Sequence, residues 1–392
     1  MRLAISTPVY PFPGDPSRAP YIFEIARQLG TLVDVEVFFH AVRYSRHKWL
    51  QPSTYQPVPV GMDLSSPNVK VTVFDYPTIP FVGRVFNGLL SERVLEPHLR
   101  RFAPDIVLGY WLYPEGYGAW RCARALNVPC VLGGLGTDIR GRDRLTRWLT
   151  GCALRGADHS IMVSEEMRQS AIVRFGVHPE RVHTIPNGVN TGIFHPRPQR
   201  SARVQLGLPL DQRLIVYVGR FIAAKGMREL IAAFETLSAR RPDVQLALIG
   251  DGMMREEIVQ RLHDSQLTDR VHLPGALQPE QVARWLNAGD LLCLPSYSEG
   301  HPNVVVEALA CGLPVVATSV GGIPESVNES NGRLVHPRDA DALLGALEGA
   351  LDADWDRAAI SRGVSRGWDD VARETLAICE QALRRQSQMS GG

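Results

Sequence analysis

Short apolar segments alternate with helical segments along nearly the whole chain, and this alternation limits the possible folds more than any other feature. The first half holds six candidate strands: Arg2–Thr7, Asp34–Phe39, Lys70–Phe74, Asp105–Gly109, Pro129–Gly133 and His159–Val163. The second half holds six more: Arg213–Gly219, Gln245–Gly250, Arg270–Leu273, Leu291–Pro295, Pro314–Thr318 and Arg333–Val335. The candidate helices between them include Ala19–Leu29, Met227–Ala239 and Glu280–Ala288. Strands that alternate with helices predict parallel sheets joined by helical crossovers. Two such runs predict two Rossmann-like α/β domains.

The domain boundary is predicted in a segment punctuated by glycine and proline. A chain of 392 residues is too long for one typical domain and suggests two of roughly 150–200 residues. Residues 185–196 contain two glycines and two prolines, which interrupt regular structure. We therefore predict domains at 1–190 and 191–366. Since ligands bind at the carboxyl ends of parallel strands, we expect the two domains to face a central cleft.

Composition restricts location and partners. The chain contains no run of about 18 apolar residues, as a membrane-spanning helix requires. Its first residues are too short and too soon followed by prolines to resemble a signal peptide, so we expect a cytoplasmic protein. Residues 1–200 carry 23 basic and 16 acidic residues, a net charge of +7, whereas residues 201–392 carry 19 and 25. The basic half favours an anionic partner, such as a membrane surface or a phosphorylated lipid. A solvated surface is the alternative.

One stretch, residues 295–314, carries the clearest chemical pattern and reads PSYSEGHPNVVVEALACGLP. A strand ends there, a loop holds Glu299, and a helix is predicted to begin with Pro302 in its first position. Proline suits that position because its missing N–H is not needed there. Gly312 and then Pro314 end the helix.

The start of this helix predicts a binding site for a nucleoside diphosphate. The N–H groups of Asn303 and Val304 lie at the helix start, which attracts phosphate. Glu307 follows about one turn further on, roughly 6 Å along the axis, where a carboxylate can accept hydrogen bonds from a ribose diol. Glu299 precedes the helix and can reach the hydroxyls of a sugar beyond the phosphates.

A second group of charged residues follows the first strand of the second half. That strand ends at Gly219, and Arg220 and Lys225 come directly after it. Negative charge builds on a departing diphosphate, and positive side chains stabilise it. Arginine offers a bidentate fork and lysine a mobile point charge. The sequence therefore predicts that both residues contact the leaving group.

The motifs together resemble those of glycosyltransferase family 4, and the resemblance covers nearly the whole chain. They are Glu299-x7-Glu307, Gly219-Arg220-x4-Lys225-Gly226, Ile185-Pro-Asn-Gly-Val189 and Val320-Gly-Gly-Ile-Pro-Glu325. The resemblance implies the GT-B fold and a retaining hexosyltransferase that needs no bound metal or other cofactor. It also implies that residues 367–386, which open with Gly-Trp-Asp, form a helix that crosses back to the first domain.

The resemblance also implies roles for individual residues. Arg220, Lys225 and Glu299 would be catalytic, with the first two on the diphosphate and Glu299 on the donor sugar. The base would lie near residues 275–277. The donor-binding residues would be Gly219, Ala276, Leu277, His301, Asn303, Val304 and Glu307. The implied substrates are a UDP- or GDP-linked sugar and a glycan or lipid-linked acceptor, in bacterial polysaccharide or glycoconjugate synthesis, with no nucleic acid involved.

The first half departs from the family pattern at two places. Relatives often carry two glycines in the loop after the first strand, where this chain has Gly14 alone. Many relatives carry a histidine at the position of Leu135. Asp138 is the best polar candidate on this side, with capping of a turn as the alternative. The missing histidine leaves open a catalytically weak subunit of a polysaccharide synthase.

Other sequence patterns oppose competing functions. Two D-x-D strings, at residues 339–341 and 352–354, lie in helical sequence and are interpreted as solvated helix residues, not metal ligands. There is no phosphate-binding G-x-x-x-x-G-K-[ST] string and no G-x-G-x-x-G after the first strand. The missing signal peptide and the Arg220/Lys225 pair oppose a two-lobed solute-binding protein. The Glu299-x7-Glu307 spacing opposes a nucleotide-sugar epimerase.

Two stretches of the first half combine arginines with apolar residues at helical spacing. The first, Gly83–Phe102, holds Val85, Phe86, Leu89, Leu90 and Val94 with Arg93, Arg100 and Arg101. The second, Ile139–Gly156, holds Leu145, Trp148 and Leu149 with Arg140, Arg142, Arg144, Arg147 and Arg155. Basic amphipathic helices can lie in the headgroup region of a bilayer, which predicts peripheral contact with the inner membrane surface. The alternative is that both apolar stripes face the core.

Overall fold

Two separate parallel sheets organise the chain in the computed structural model, which describes residues 1–15, 18–44, 51, 57–58, 61–79, 81–140 and 143–390. One compact unit contains residues 1–187 and 368–392, and the other contains residues 188–367. We call these unit 1 and unit 2. The predicted α/β class with two Rossmann-like halves is confirmed.

Unit 1 is built on a seven-stranded sheet in the order β3-β2-β1-β4-β5-β6-β7. Its strands are β1 Arg2–Thr7, β2 Asp34–Arg43, β3 Val69–Pro77, β4 Ile106–Tyr110, β5 Cys130–Gly134, β6 His159–Met162 and β7 Val182–Thr184. Its first five helices are α1 Pro20–Leu29, α2 Asn87–Phe102, α3 Tyr117–Leu126, α4 Arg144–Gly156 and α5 Glu165–Phe175. All residues of β4 and β5 are buried, because helices cover both faces of a parallel sheet.

Unit 2 is built on a six-stranded sheet in the order β10-β9-β8-β11-β12-β13. Its strands are β8 Arg213–Val218, β9 Val244–Ile249, β10 Val271–Gly275, β11 Leu291–Leu294, β12 Val315–Thr318 and β13 Gly332–Val335. Its helices are α6 Gln199–Leu206, α7 Met227–Arg240, α8 Arg255–Asp264, α9 Pro279–Ala288, α10 Asn303–Ala310, α11 Ile323–Ser326, α12 Ala340–Asp352 and α13 Arg357–Arg362.

The last helix, α14 Trp368–Ser390, returns to unit 1 as the sequence predicts. It packs along α1, and its buried side chains join the core beneath β1 and β4. Those side chains are Trp368, Val371, Ala372, Ile378, Cys379 and Ala382. Among the residues described, no helix is both long enough and apolar enough to cross a membrane.

All twelve predicted strands are present, and the boundaries of most differ by one or two residues. β2 extends four residues beyond its predicted end and β3 three, and the sequence prediction missed β7 altogether. β7 has three residues, of which only Val182 is buried, so it lacks the apolar run that reveals a buried parallel strand. A polar contact joins β7 to β6: the Nε2 atom of His183 lies 2.9 Å from the Nδ1 atom of His159.

A carboxyl group is buried in unit 1 in the turn that follows β4. Glu115 is 4% exposed, and its Oε2 atom has no hydrogen-bond partner among the described residues. Burial raises the pKa of Glu115 to about 8, because removal from water disfavours the charged form. The folded chain therefore holds a proton on Glu115 at neutral pH that the unfolded chain releases.

Glu115 should make the stability of the protein fall as pH rises. The folded pKa is raised to about 8, so folding binds a proton between about pH 4.5 and 8, and the free energy of unfolding falls by at most about 1.4 kcal/mol per pH unit in that window. Glu115→Gln should flatten this slope in urea titrations at pH 5 and pH 8. The exposed Glu256→Gln is the control. Equal slopes in the parent and Glu115→Gln would contradict the assignment.

Candidate active site

Glycines at the carboxyl ends of three strands of unit 2 bring their backbones unusually close together. The N–H of Gly219, after β8, donates to the carbonyl of Ile249 at 2.9 Å, and the N–H of Gly250, after β9, donates to that of Gly275 at 2.8 Å. A Cβ atom on Gly250 would lie 1.9 Å from the carbonyl oxygen of Gly219. Only glycine permits this approach, so the strand ends form one continuous edge.

The loop after β8 carries the two predicted cations. Arg220 is exposed, and its carbonyl accepts a hydrogen bond from Tyr217 Oη at 2.9 Å. Lys225 ends a 3₁₀ turn, and Gly226 follows with φ +68° at the start of α7. A Cβ on Gly226 would lie 2.0 Å from the carbonyl oxygen of Pro295. The loop after β8 therefore packs directly against the loop after β11.

The loop after β11 is fixed by hydrogen bonds at both ends. Tyr297 donates its N–H to the carbonyl of Ala224 at 2.9 Å and its hydroxyl to Glu229 at 2.6 Å. The N–H of Gly322 donates to the carbonyl of Gly300 at 2.6 Å. These contacts hold residues 297–300 between the loop after β8 and the Gly321–Gly322 turn.

The two loops bring Lys225 and Glu299 into direct contact. The Lys225 Nζ lies 2.6 Å from Glu299 Oε1, and the two side chains are only 21% and 10% exposed. The sequence predicts the two residues on different parts of a donor, the diphosphate and the sugar. The two side chains form an ion pair, so a bound diphosphate would have to share Lys225 with Glu299.

Helix α10 begins at Asn303, with Pro302 as its N-cap residue at ψ 120°. The helix therefore begins one residue later than predicted, because the extended ψ angle of Pro302 places that residue outside the helix. The missing N–H of Pro302 still costs no hydrogen bond, because the N–H of an N-cap residue has no partner within the helix. Val304 is partly buried at the second position. The helix ends at Ala310 with Cys311 as its C-cap residue, and Gly312 follows with φ +73°.

Two titratable groups near the start of α10 have shifted pKa values. Glu307, partly exposed on the helix, has its pKa raised to about 7 by desolvation. His301, 8% exposed, has its pKa lowered to about 4 by burial and by the charge of Arg366. Its Nε2 lies 3.1 Å from Ser326 Oγ. His301 is therefore neutral at pH 7, whereas Glu307 is divided between its charged and neutral forms.

The predicted base-binding segment, residues 275–277, begins at the last residue of β10. Gly275 has φ +83° and open space around it. Ala276 is exposed, and Leu277 is partly buried against the core of unit 2. Because Gly250 bonds to Gly275, this segment continues the edge that holds the loop after β8.

Asp138 and Gly14, the two site residues predicted in unit 1, both stabilise or form turns of the backbone. Asp138 is buried, and its carboxylate accepts hydrogen bonds from the N–H groups of Leu112, Leu135 and Gly136 at 2.8–3.3 Å. Burial raises the pKa of Asp138. The carboxylate thus caps the turn after β5, which is the alternative that the sequence left open. Gly14 lies in a turn closed by two backbone bonds between Phe12 and Asp15.

The D-x-D strings have ordinary roles in a helix. Asp339 caps α12 by accepting the N–H of Ala342 at 2.8 Å. Asp352, at the end of the same helix, pairs with Arg241 at 2.9 Å. Among the residues described, no group of three His, Cys, Asp or Glu side chains could hold a metal ion.

The sequence did not indicate what holds the loop of Glu299. Gly321 and Gly322 belong to the motif Val320–Glu325 in the sequence, and in the structure their turn supports this loop. A Cβ on Gly321, at φ +58°, would lie 2.3 Å from the carbonyl of Glu299. The two adjacent glycines were a usable signal, because a glycine pair after a strand marks a close backbone approach.

Substitutions at Lys225 and Glu299 should have non-additive effects on the free energy of unfolding. Lys225→Ala leaves a carboxylate that is 10% exposed without its partner, whereas removing both side chains leaves no unpaired charge. We expect a coupling free energy of about 1–3 kcal/mol in a double-mutant cycle measured by urea unfolding. The exposed pair Arg228–Glu257 is the matched control, and we expect its two substitutions to be nearly additive, because water screens the attraction between exposed charges. Additive effects at Lys225 and Glu299 would contradict the pairing.

Comparisons with known proteins identify the family of the chain. Residues 198–364 match the family model "Glycosyl transferases group 1", and residues 19–192 match "Glycosyltransferase Family 4". A D-inositol 3-phosphate glycosyltransferase of Xylanimonas cellulosilytica is 31% identical over 93% of this chain and 91% of its own length. The putative teichuronic acid biosynthesis glycosyltransferase TuaC of Bacillus subtilis is 32% identical over 63% of this chain, which spans 61% of that protein.

A solved structure shares the architecture. Anabaena HepE, crystallised with UDP and glucose, is 20% identical and superposes with a TM-score of 0.69 over 99% of this chain and all of the other. The two parallel-sheet units and this likeness establish the GT-B fold. The family matches and the relative that spans nearly its whole length show that the chain is a glycosyltransferase of family 4.

Proposed function

We propose that this enzyme transfers a hexose from a UDP-sugar to a hydroxyl of a glycan or lipid-linked acceptor, with retention of anomeric configuration and without a bound metal. One observation carries the proposal. The loops after β8 and β11 meet at the carboxyl edge of the unit 2 sheet, with Arg220 and Lys225 on one loop and Glu299 on the other. A nucleoside diphosphate sugar needs positive charge at its phosphates and an acceptor of hydrogen bonds at its sugar.

The reaction places each of these groups in a defined role. The bond between the anomeric carbon and the diphosphate oxygen breaks, and the anomeric carbon bonds to the acceptor oxygen. The proton of the acceptor hydroxyl passes to the leaving diphosphate. Arg220 and Lys225 stabilise the charge that builds on that diphosphate, while Glu299 orients the sugar and Glu307 accepts hydrogen bonds from the ribose diol.

The choice of donor and pathway is supported by the named relatives. HepE was crystallised with UDP and glucose, which favours a uridine nucleotide over a guanosine nucleotide. The Bacillus relative is named for teichuronic acid biosynthesis, which favours polysaccharide synthesis on the cytoplasmic face of the membrane. The Xylanimonas relative is named for an inositol phosphate acceptor. Because the two relatives are named for different acceptors, we propose only the broad class of a glycan or lipid-linked hydroxyl.

A catalytically weak subunit is the competing proposal, and it rests on Leu135. This side chain takes the position of the family histidine and packs among apolar residues of unit 1. No imidazole is available at that position to contact a donor sugar. Hydrolysis or transfer by the purified chain alone distinguishes the two proposals.

Transfer should depend on Arg220 and persist in a metal chelator. The isolated chain should release UDP from UDP-glucose in EDTA, and Arg220→Ala should lower this rate about 10²–10³-fold, because one lost group that stabilises developing charge typically has that effect. Arg240→Ala on α7, an exposed arginine far along the helix, is the control. Loss of activity in EDTA with recovery in Mg²⁺, or a normal rate in Arg220→Ala, would contradict the mechanism.

Glu307 and Glu299 should separate nucleotide binding from sugar binding. Glu307→Gln should weaken UDP at least about tenfold, since hydrogen bonds to charged groups contribute roughly 1.5–3 kcal/mol. Glu299→Gln should leave UDP affinity unchanged or stronger, because Lys225 is released to the phosphates, and should weaken UDP-glucose relative to UDP. Calorimetry with both ligands measures the difference.

The pH dependence provides a second readout of the same assignment. The pKa of Glu307 is about 7, so its ionisation should tighten UDP binding as pH rises from 6 to 8. The slope should be smaller in Glu307→Gln, where only the phosphate titrates. Identical pH profiles for the two proteins would show that Glu307 does not contact the ribose.

A further inference from the structure

Exposed apolar side chains of unit 1 gather where α2 and α4 begin. Twelve large apolar side chains are exposed among the described residues, and five of them belong to this region. They are Ile79, Phe86, Leu89, Leu145 and Trp148. The other seven are dispersed along both units, and Phe86 and Trp148 are the exposed Phe and Trp side chains of the described part of the chain. A cluster of this kind, unlike a single exposed leucine, marks an interaction surface.

Several contacts bring the two helix starts together. The 3₁₀ turn over residues 81–86 leads directly into α2 and contacts α4. Tyr113 donates its hydroxyl to the carbonyl of Val85 at 2.7 Å. Asp143 is the N-cap of α4, and its pKa is lowered mainly by the hydrogen bond from the N–H of Thr146. The positive charge of Arg84 lowers the pKa of Asp143 further. Ile79 is tied to the first residue of α2 by two hydrogen bonds with the Asn87 side chain.

The apolar residues on each helix lie on one side. Phe86 and Leu89 are three residues apart at the start of α2 and are 56% and 45% exposed. Leu145 and Trp148 have the same spacing on α4 and are 48% and 59% exposed. Residues three apart are neighbours on a helix surface. Both helices cover the core with other residues, among them Leu95, Leu99 and Phe102 on α2 and Ala153 and Leu154 on α4.

Arginines border these apolar side chains. Arg93 lies one turn beyond Leu89, and Arg144 and Arg147 lie beside Leu145 and Trp148. All three are exposed, and none forms an ion pair with another described residue. By contrast, Arg100 and Arg121 nearby are neutralised by Glu96 and Glu92. Arg142 lies outside the described residues.

We propose that this surface, which we call the α2–α4 face, docks unit 1 on a bilayer that contains anionic lipids. Unpaired arginines attract the negative headgroups, and the exposed rings and leucines enter the boundary between headgroups and acyl chains, as amphipathic surfaces do. A soluble acidic partner would require the charges but not the apolar side chains. This proposal rests on the proposed function in one respect only: the lipid-linked acceptor explains why the enzyme would dock on a bilayer.

The face is tested by sedimentation of the full chain with vesicles. Vesicles of phosphatidylcholine with about 30% phosphatidylglycerol should bind the protein, and pure phosphatidylcholine should bind it at least about tenfold less, because the arginines need anionic headgroups. Phe86→Ser/Trp148→Ser and Arg144→Gln/Arg147→Gln should each reduce binding to the mixed vesicles about tenfold or more. Val173→Ser/Arg174→Gln, which changes an exposed apolar residue and an exposed arginine on α5, is the matched control.

Each outcome decides the proposal. Loss of binding in both test variants and not in the control supports a bilayer. Loss only in the arginine variant identifies a surface for soluble anions and overturns the proposal, as does absence of binding to the mixed vesicles. Brominated lipids give a direct readout, since they should quench fluorescence of the parent more than that of Trp148→Phe.

UDP calorimetry separates this test from the test of the proposed function. UDP is proposed to bind to unit 2, so every variant of the α2–α4 face should bind it as the parent does. Normal UDP binding also shows that the variants are folded. A parent protein that binds UDP and not vesicles would overturn the α2–α4 face alone.

Discussion

The chemistry proposed for unit 2 depends on how closely the backbones of two loops approach each other. Gly226 packs directly against the carbonyl of Pro295, and Tyr297 donates its N–H to the carbonyl of Ala224. Side chains at Gly226 or Gly321 would separate the loops, because a Cβ would come within about 2.0–2.3 Å of a carbonyl oxygen. The 2.6 Å contact between Lys225 and Glu299 exists only because these glycines permit it.

Burial then decides which of the neighbouring groups are charged. His301 is neutral at pH 7, since burial lowers its pKa to about 4. Glu307 is close to half ionised, since desolvation raises its pKa to about 7. Lys225 is compensated by Glu299, whereas Arg220 is exposed. The positive charge offered to an arriving diphosphate therefore comes first from Arg220, and Lys225 contributes as its contact with Glu299 is shared.

Polar groups inside unit 1 are largely structural. Asp138 is occupied by three backbone N–H groups. His40 is fully buried against Ser6, with its pKa lowered to about 3 by desolvation and by His98. Glu115 is held in its neutral form by burial. Among the described residues of unit 1, exposed apolar side chains and exposed arginines come together where α2 and α4 begin.

The sequence alone determined the class of fold, the division into two domains, most of their strands, and the family. Buried parallel strands are continuous apolar runs, so twelve were found from the sequence, while the short, mostly polar β7 was not. The positions of Arg220, Lys225, Glu299 and Glu307 were likewise visible as motifs. Tertiary structure decided the rest: the pairing of Lys225 with Glu299, the capping role of Asp138, and which apolar residues of α2 and α4 face solvent. These properties depend on contacts between residues far apart in the chain, and helical periodicity cannot tell an apolar stripe that faces the core from one that faces outward.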